Sequence, residues 1–368
     1  MKTEKPVDKN MIGNETTMDE NITWLSVEDC RIRLSGFAFF EEDHKLERIP
    51  SRLKSVFNEI NPCLNELGTN TAGGQLSFRS STSRVLIRAK ITSVPNMVSM
   101  TAVAQCGFDC YIGENPKDLK FFGITKFERT QSEYTCEVVS KLDSTKVKEF
   151  LFHFPLYAGV IEVEIGVDSN AIIEPPTPYE KEGKLIFYGT SITQGGSASR
   201  PGMAYTNYLA RKLNLEHCNF GFSGNGLGEY EVAKMLSEIE KPLLYVIDYE
   251  ANSGTNGRMV KSLDDFIKCL RESHKEVPIL VVSRVPHLMD LLDESAGALR
   301  NSLREFQRET VEKFRTLGDN AIYFLDGYTL WGDDFDEYTV DFIHPTDLGF
   351  YFMGKGLEPI IREILNKH

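Results

Sequence analysis

The chain has 368 residues, is 41% hydrophobic, and carries a formal net charge of −13 at pH 7. That length exceeds what one hydrophobic core ordinarily serves, so two domains are expected, and the apolar fraction can fill both. The acidic balance, with no Lys/Arg block, argues against nucleic acid and anionic membranes as partners, because either would need a concentrated basic face.

Residues 1–21 are polar and mixed in charge, with no apolar run long enough for a signal peptide or a membrane span. They read as a disordered tail on a cytoplasmic protein. Seven cysteines, Cys30, Cys63, Cys106, Cys110, Cys136, Cys218 and Cys269, are scattered without CxxC spacing or an adjacent His pair. Buried free thiols are expected, with no metal site and no disulfide framework.

From residue 22 to residue 172 short apolar-polar alternations are separated by turn formers, at 75–78, 85–91, 108–112, 150–154 and 160–165. With almost no helical periodicity between them, they predict a β-sandwich of jelly-roll type. Three prolines, Pro175, Pro176 and Pro178, then make residues 173–182 a stiff extended linker. Beyond it, over 183–368, the pattern changes. Short apolar runs at 185–188, 218–220, 243–247, 279–283 and 321–325 alternate with helical stretches at 205–213, 229–239, 260–272, 296–317 and 347–365. This is the signature of a doubly wound α/β domain with a parallel sheet, whose ligand site lies at the C-terminal ends of the strands.

Three short motifs fall at such ends or near the C-terminus. Gly189-Thr190-Ser191 follows the first apolar run, Asn252 follows the third, and Asp341-Phe342-Ile343-His344-Pro345 comes late in the chain. Asp and His three residues apart on one loop can both turn toward a distant serine, with Asp341 orienting His344 as the base. Ser191 alone equally fits a helix N-cap after a strand. The nucleophile elbow of α/β-hydrolases is absent, since Thr193 stands where a second glycine would be required.

In these blocks the chain resembles the SGNH, or GDSL-like, hydrolases. Tyr188-Gly-Thr-Ser-Ile-Thr-Gln-Gly195 matches the first block with Thr190 in place of Asp, and Asn219-Phe-Gly-Phe-Ser-Gly-Asn-Gly226 matches the second. Asp248-Tyr-Glu-Ala-Asn252 holds the third by its asparagine, and 341–345 matches the last. Gly107-Phe-Asp-Cys-Tyr111 resembles the Gly-x-Asp-Leu-Tyr signature of the subgroup with an N-terminal β-sandwich, with Cys110 replacing leucine.

The resemblance implies a flavodoxin-like three-layer hydrolase domain and a serine esterase without cofactor. Ser191, His344 and Asp341 would be its catalytic residues, and the N–H groups of Ser191 and Gly224 with the Asn252 amide its oxyanion hole. Gly226 is the neighbouring alternative to Gly224. Arg200, Trp331 and His287 are candidates for substrate contact, each weighed against an ordinary structural use. Arg284 poses the same question as Arg200, since either could pair with a carboxylate or bind an acidic or sugar portion of the substrate. His153 reads as a packed strand residue.

No apolar lid segment is evident between the blocks, and Tyr205, Trp331 and the Gly195-Gly196 turn point to a shallow polar cleft. The expected substrate is a short-chain ester, acetyl foremost, of a carbohydrate or related small polar alcohol. An acyltransferase and a non-catalytic carbohydrate-binding protein are the alternatives. A homo-oligomer is compatible with the sequence, which does not specify one.

Overall fold

The computed structural model of the protein describes residue 8, residues 11–13 and residues 20–368. The expected tail over 1–21 falls largely outside the described residues. Ten antiparallel strands come first: β1 (Ile22–Ser26), β2 (Arg33–Ser35), β3 (Gln75–Ser80), β4 (Val85–Ile91), β5 (Asp109–Gly113), β6 (Lys120–Ile124), β7 (Glu133–Val139), β8 (Lys148–His153), β9 (Val160–Asp168) and β10 (Ile173–Glu174). They form two sheets, β1-β9-β4-β7 and β10-β3-β8-β5-β6, with β2 also paired to β3. Their inner faces share one core. Ile87, Val163 and Ile165 of the first sheet meet Phe78, Phe150 and Phe152 of the second, as the alternation of inward apolar residues dictates.

The sandwich is less purely β than its sequence texture predicts. Helices α1 (Phe40–Asp43), α2 (Lys54–Ile60) and α3 (Cys63–Gly68) occupy the β2–β3 connection, and α4 (Ala102–Cys106) precedes β5. The first three are under two turns long and lack a side-chain N-cap. The second and third are held by tertiary packing of Phe57 and Leu64 rather than by local signals. The proline-rich connection is also partly regular, since Ile173 and Glu174 pair with Ser80 and Arg79 before the prolines begin.

The second half forms a parallel sheet from β11 (Lys184–Gly189), β12 (Glu216–Gly221), β13 (Pro242–Asp248), β14 (Ile279–Val282) and β15 (Ile322–Leu325). Its order, β12-β11-β13-β14-β15, is the flavodoxin-like 2-1-3-4-5. Helices α5 (Ser191–Gln194), α6 (Tyr205–Leu213), α7 (Tyr230–Ser237), α8 (Glu250–Ser253), α9 (Arg258–Ser273), α10 (Met289–Leu292), α11 (Glu294–Thr316) and α12 (Asp347–Lys367) connect or follow the strands.

Alternate residues of β11 enter opposite cores. Leu185 and Phe187 pack with α6 and α12, and Ile186 and Tyr188 with α7 and α9. Strand order reverses at β11, between β12 and β13, so the crevice for a ligand opens above Gly189 and Asp248.

The sandwich is part of the same packing. Ala72, Met100, Ala104 and Leu156 join the α6–α12 core, and buried Arg48 reaches across to the end of β12, donating to the carbonyls of Asn219 and Gly221 at 3.0 and 2.6 Å. All seven cysteines are unpaired, but Cys30 and Cys63 are exposed rather than buried. Among the described residues no helix is long and apolar enough to cross a membrane, and no cluster of three or more metal-ligating side chains occurs.

Candidate active site

The local structure around Ser191 follows from its neighbours. β11 ends at Gly189, where a Cβ would collide with Thr193 and the Asp248 carbonyl. Thr190 takes the N-cap, accepting from the Ile192 N–H at 3.3 Å, and Ser191 opens the single turn of α5. Gly195, at φ 106°, ends that turn in the left-handed region. Gly196 then runs so close that a Cβ would lie 3.2 Å from His344 Cδ2 and 2.8 Å from the Tyr157 hydroxyl. Tyr157 belongs to the sandwich.

His344 arrives on the loop before α12. An isolated bridge between Thr339 and Pro345, with Val340 N–H donating to the His344 carbonyl at 2.9 Å and Thr346 N–H to the Tyr338 carbonyl at 2.8 Å, cinches residues 338–346 into a tight loop. Phe342 adopts φ 59° within it. Asp341 accepts from the backbone N–H of Ile343 (3.1 Å) and of His344 (2.8 Å), and its other oxygen takes the His344 Nδ1 contact at 2.7 Å. Burial alone would raise Asp341, but these hydrogen bonds outweigh it and hold the carboxyl below its ordinary value. An anionic Asp341 makes Nδ1 the protonated nitrogen, so Nε2 is the acceptor facing Ser191 Oγ, 2.9 Å away. Serine, histidine and aspartate are therefore in line.

Gly224 and Asn252 flank the serine's end of the sheet. Gly224 is exposed at φ 70°. The neighbouring Ser223 N–H is held at 3.0 Å by Gln194, whose amide donates to Asn70 and Leu156 of the sandwich. The Gly226 N–H is already used, donating to Asn252 Oδ1 at 3.3 Å. That bond fixes which end of the Asn252 amide is oxygen, leaving its NH2 free to donate. Among the described residues the N–H groups of Ser191 and Gly224 and the Asn252 NH2 have no acceptor.

The three expected substrate contacts fare differently. Arg200 lies in a buried cluster, with Nη1 2.8 Å from Asp109 and 2.5 Å from the Tyr111 hydroxyl, and Asp109 also takes the Gly202 N–H and His153 Nδ1, both at 2.8 Å. The Gly-x-Asp-x-Tyr signature thus clasps the 200–202 loop to the sandwich, so Arg200 is a joint between the two halves rather than a substrate contact. Trp331 is also buried, its indole N–H donating to the Gly349 carbonyl at 3.1 Å and its ring edge-on to Tyr338; it braces the start of α12 instead of lining the cleft. His287 lies against the loop of Asp341 and His344, with its ring 5.8 Å from Phe342, the residue after Asp341.

Tyr205 is fully buried, its hydroxyl shared between Thr193 and Asp248 at 3.3 Å each. The expected polar cleft must therefore be revised. Phe342 is 51% exposed, and on nearby α10 Leu291 and Leu292 are 68% and 82% exposed, so the rim beside the triad is apolar. Gly196 packs against His344 and Tyr157, and two groups that the sequence did not single out, Gln194 and Tyr157, also support the site. The first signals only as a polar residue beside two glycines, and Tyr157 gives no signal at all. A concavity of about 960 Å³ lies on the sandwich, lined by residues such as Arg88, Tyr134 and Glu164 but by none of the triad.

The comparisons with known proteins follow the same division. The model described as GDSL-like lipase/acylhydrolase family matches residues 182–362, and the model for the N-terminus of SGNH-hydrolase-type esterases, GxDLY, matches residues 22–173. The crystal structure of a GDSL-like lipase from Bacteroides ovatus is 32% identical, with TM-score 0.82 over 94% of this chain and 98% of that one. The chain belongs to the GDSL-like lipase/acylhydrolase family. This makes it a hydrolase of the esterase class.

A salicylyl-acyltransferase from a tetracycline biosynthetic pathway shares the fold at 18% identity and TM-score 0.75, covering 94% of this chain and 98% of its own. A family two carbohydrate esterase from Clostridium thermocellum, solved with cellohexaose, shares it at 16% identity and TM-score 0.59, covering 80% and 93%. No curated protein sequence matches the chain.

Proposed function

We propose that this family member is a serine esterase that removes short acyl groups, acetyl foremost, from a carbohydrate or similarly polar alcohol. The observation that carries the reading is the bridge made by His344, 2.9 Å to Ser191 Oγ on one side and 2.7 Å to Asp341 on the other. A serine hydroxyl is a weak nucleophile until a base takes its proton. Here Ser191 Oγ attacks the ester carbonyl carbon while its proton passes to His344 Nε2. Asp341 stabilises the imidazolium without accepting the proton. The tetrahedral oxyanion is met by the three unpaired donors on Ser191, Gly224 and Asn252. When the C–O bond to the alcohol breaks, His344 returns the proton to that oxygen. Water then repeats the sequence on the acyl-enzyme and frees the acid and Ser191.

Close packing holds the turns around the nucleophile in place. Gly189, Gly196 and Gly226 each lack room for even a Cβ, against Thr193, Tyr157 and the Gly189 carbonyl respectively. The carbohydrate esterase fold is compatible with a sugar as the alcohol.

The test is hydrolysis of p-nitrophenyl esters from acetate to decanoate by wild type and Ser191→Ala in parallel. Activity concentrated at acetate and lost in the variant is expected, and activity indifferent to Ser191→Ala would remove the nucleophile assignment. Product analysis with a competing alcohol distinguishes hydrolysis from acyl transfer.

A further inference from the structure

Burying a guanidinium is unfavourable unless its N–H groups find acceptors, and most buried arginines here do. Arg48 donates to the carbonyls of Asn70, Asn219, Gly221 and Leu67. Arg200 has Asp109 and Tyr111, and Arg300 is paired with Asp290. Arg284 is the exception. It is 8% exposed, its Nε is sealed without a partner, and among the described residues its guanidinium neither donates a hydrogen bond nor forms an ion pair. Only its backbone N–H is used, donating to Glu250 at 3.0 Å.

His287, three residues on, presents a second unused donor. Its Nδ1 accepts the Met289 N–H at 3.0 Å, which places the ring proton on Nε2. Burial, then Arg284 and Arg300, push His287 down to about 4, so the ring is a neutral donor at neutral pH. The position is as telling as the chemistry. Glu250, bonded to Arg284, stands two residues before Asn252, and His287 packs on Phe342, next to Asp341. Two donors without an acceptor are thus tied to the segments that carry Asn252 and Asp341, with Glu250 and Asp290 the carboxylates that act on Arg284 from a distance.

We propose that Arg284 and His287 form a subsite for a carboxylate carried by the ester substrate, which makes the natural substrate an acylated hydroxy acid or acidic sugar, or an ester of a diacid. This rests on the esterase reading above and narrows it. The planar fork of Arg284 matches two carboxylate oxygens, and His287 Nε2–H supplies a third donor. Arg200 offers no such capacity, being already matched to Asp109.

The experiment compares each anionic ester with its neutral methyl ester: 4-acetoxybenzoate for a carboxylate on the alcohol side, mono-p-nitrophenyl succinate for one on the acyl side. The wild type should prefer one acid over its methyl ester by tenfold or more in kcat/KM, mainly through KM. In Arg284→Met that ratio should fall toward one, and Arg284→Lys should keep part of it. Arg284→Met should also melt within a few degrees of wild type, since the guanidinium makes no hydrogen bond or ion pair and Glu250 keeps its bond to the backbone N–H of residue 284.

Equal use of acid and methyl ester by the wild type would overturn the subsite, as would a preference that survives Arg284→Met. A drop of several degrees in the Tm of Arg284→Met would also overturn it, by revealing Glu250 as a resident counter-ion. Fluorophosphonate labelling of Ser191 separates the two readings, because intact labelling without acid preference sinks only the subsite. If no ester turns over, calorimetric binding of 4-hydroxybenzoate against its methyl ester to Ser191→Ala decides the subsite on its own.

Discussion

Truncation of Asn252 is the sharpest probe of the oxyanion arrangement, because its amide has one end committed and the other free. Its Oδ1 accepts from Gly226 at 3.3 Å, beyond the usual range of about 2.7–3.2 Å, so losing that bond costs the fold about 0.5–1 kcal/mol at most. Its NH2 donates to nothing among the described residues. On the proposed mechanism, the hydrogen bond it would make to a developing oxyanion is therefore gained almost entirely in the transition state. One such donor contributes about 2.7–4 kcal/mol, which at about 1.4 kcal/mol per decade is a hundred- to thousandfold in kcat. KM should hardly move.

Asn252→Asp keeps the shape and the Gly226 acceptor but turns a carboxylate toward the oxyanion. It should lose at least as much kcat as Asn252→Ala. The assay is steady-state hydrolysis of p-nitrophenyl acetate by both variants, with thermal melts to confirm folding. A folded Asn252→Ala enzyme whose kcat stays within about threefold of wild type would refute the reasoning and leave Asn252 with a purely structural role.

Two further substitutions test the frame around the triad. Asp109 is fully buried; burial would raise its pKa, but His153 and Arg200 more than offset that and keep it low. Asp109→Ala strands Arg200 and should cost about 3–5 kcal/mol in urea unfolding, and a loss below about 1 kcal/mol would show that the clasp contributes little.

Asp248 is the opposite case. Burial, with Glu250 adding to it and Tyr205 and Arg284 opposing, pushes it up to about 7. Because the folded state holds this proton longer than the unfolded chain, its effect on stability grows more unfavourable as pH rises from about 4 to about 7. Asp248→Asn should therefore gain on wild type by up to about 4 kcal/mol at pH 8, with the gain vanishing near pH 4. A pH-independent difference between the two would contradict the assignment of a buried, late-titrating carboxyl.

Features that depend on local pattern are legible along the chain. Apolar runs of strand length between amphipathic helices specify a parallel sheet, and all five predicted runs became β11 to β15, because period and length are properties of adjacent residues. Asp341 and His344 could be paired on paper for the same reason: three residues on one loop suffice to bring a carboxylate to an imidazole.

Only the tertiary structure decided what depends on distant partners. Arg200 and Arg284 are indistinguishable as sequence, each in a loop of the α/β half. Arg200 is paired with Asp109, 91 residues earlier in the other half of the chain, while among the described residues the Arg284 guanidinium makes no hydrogen bond or ion pair, although the Glu250 and Asp290 carboxylates act on it from a distance. Tyr205 and Trp331 looked like cleft walls until α6 and α12 buried them. Helices α2 and α3, too short to announce themselves, exist because the core around Phe57 and Leu64 rewards them. Burial and pairing are sums over the whole fold, and a pattern read along the chain contains no information about which side chain arrives from elsewhere.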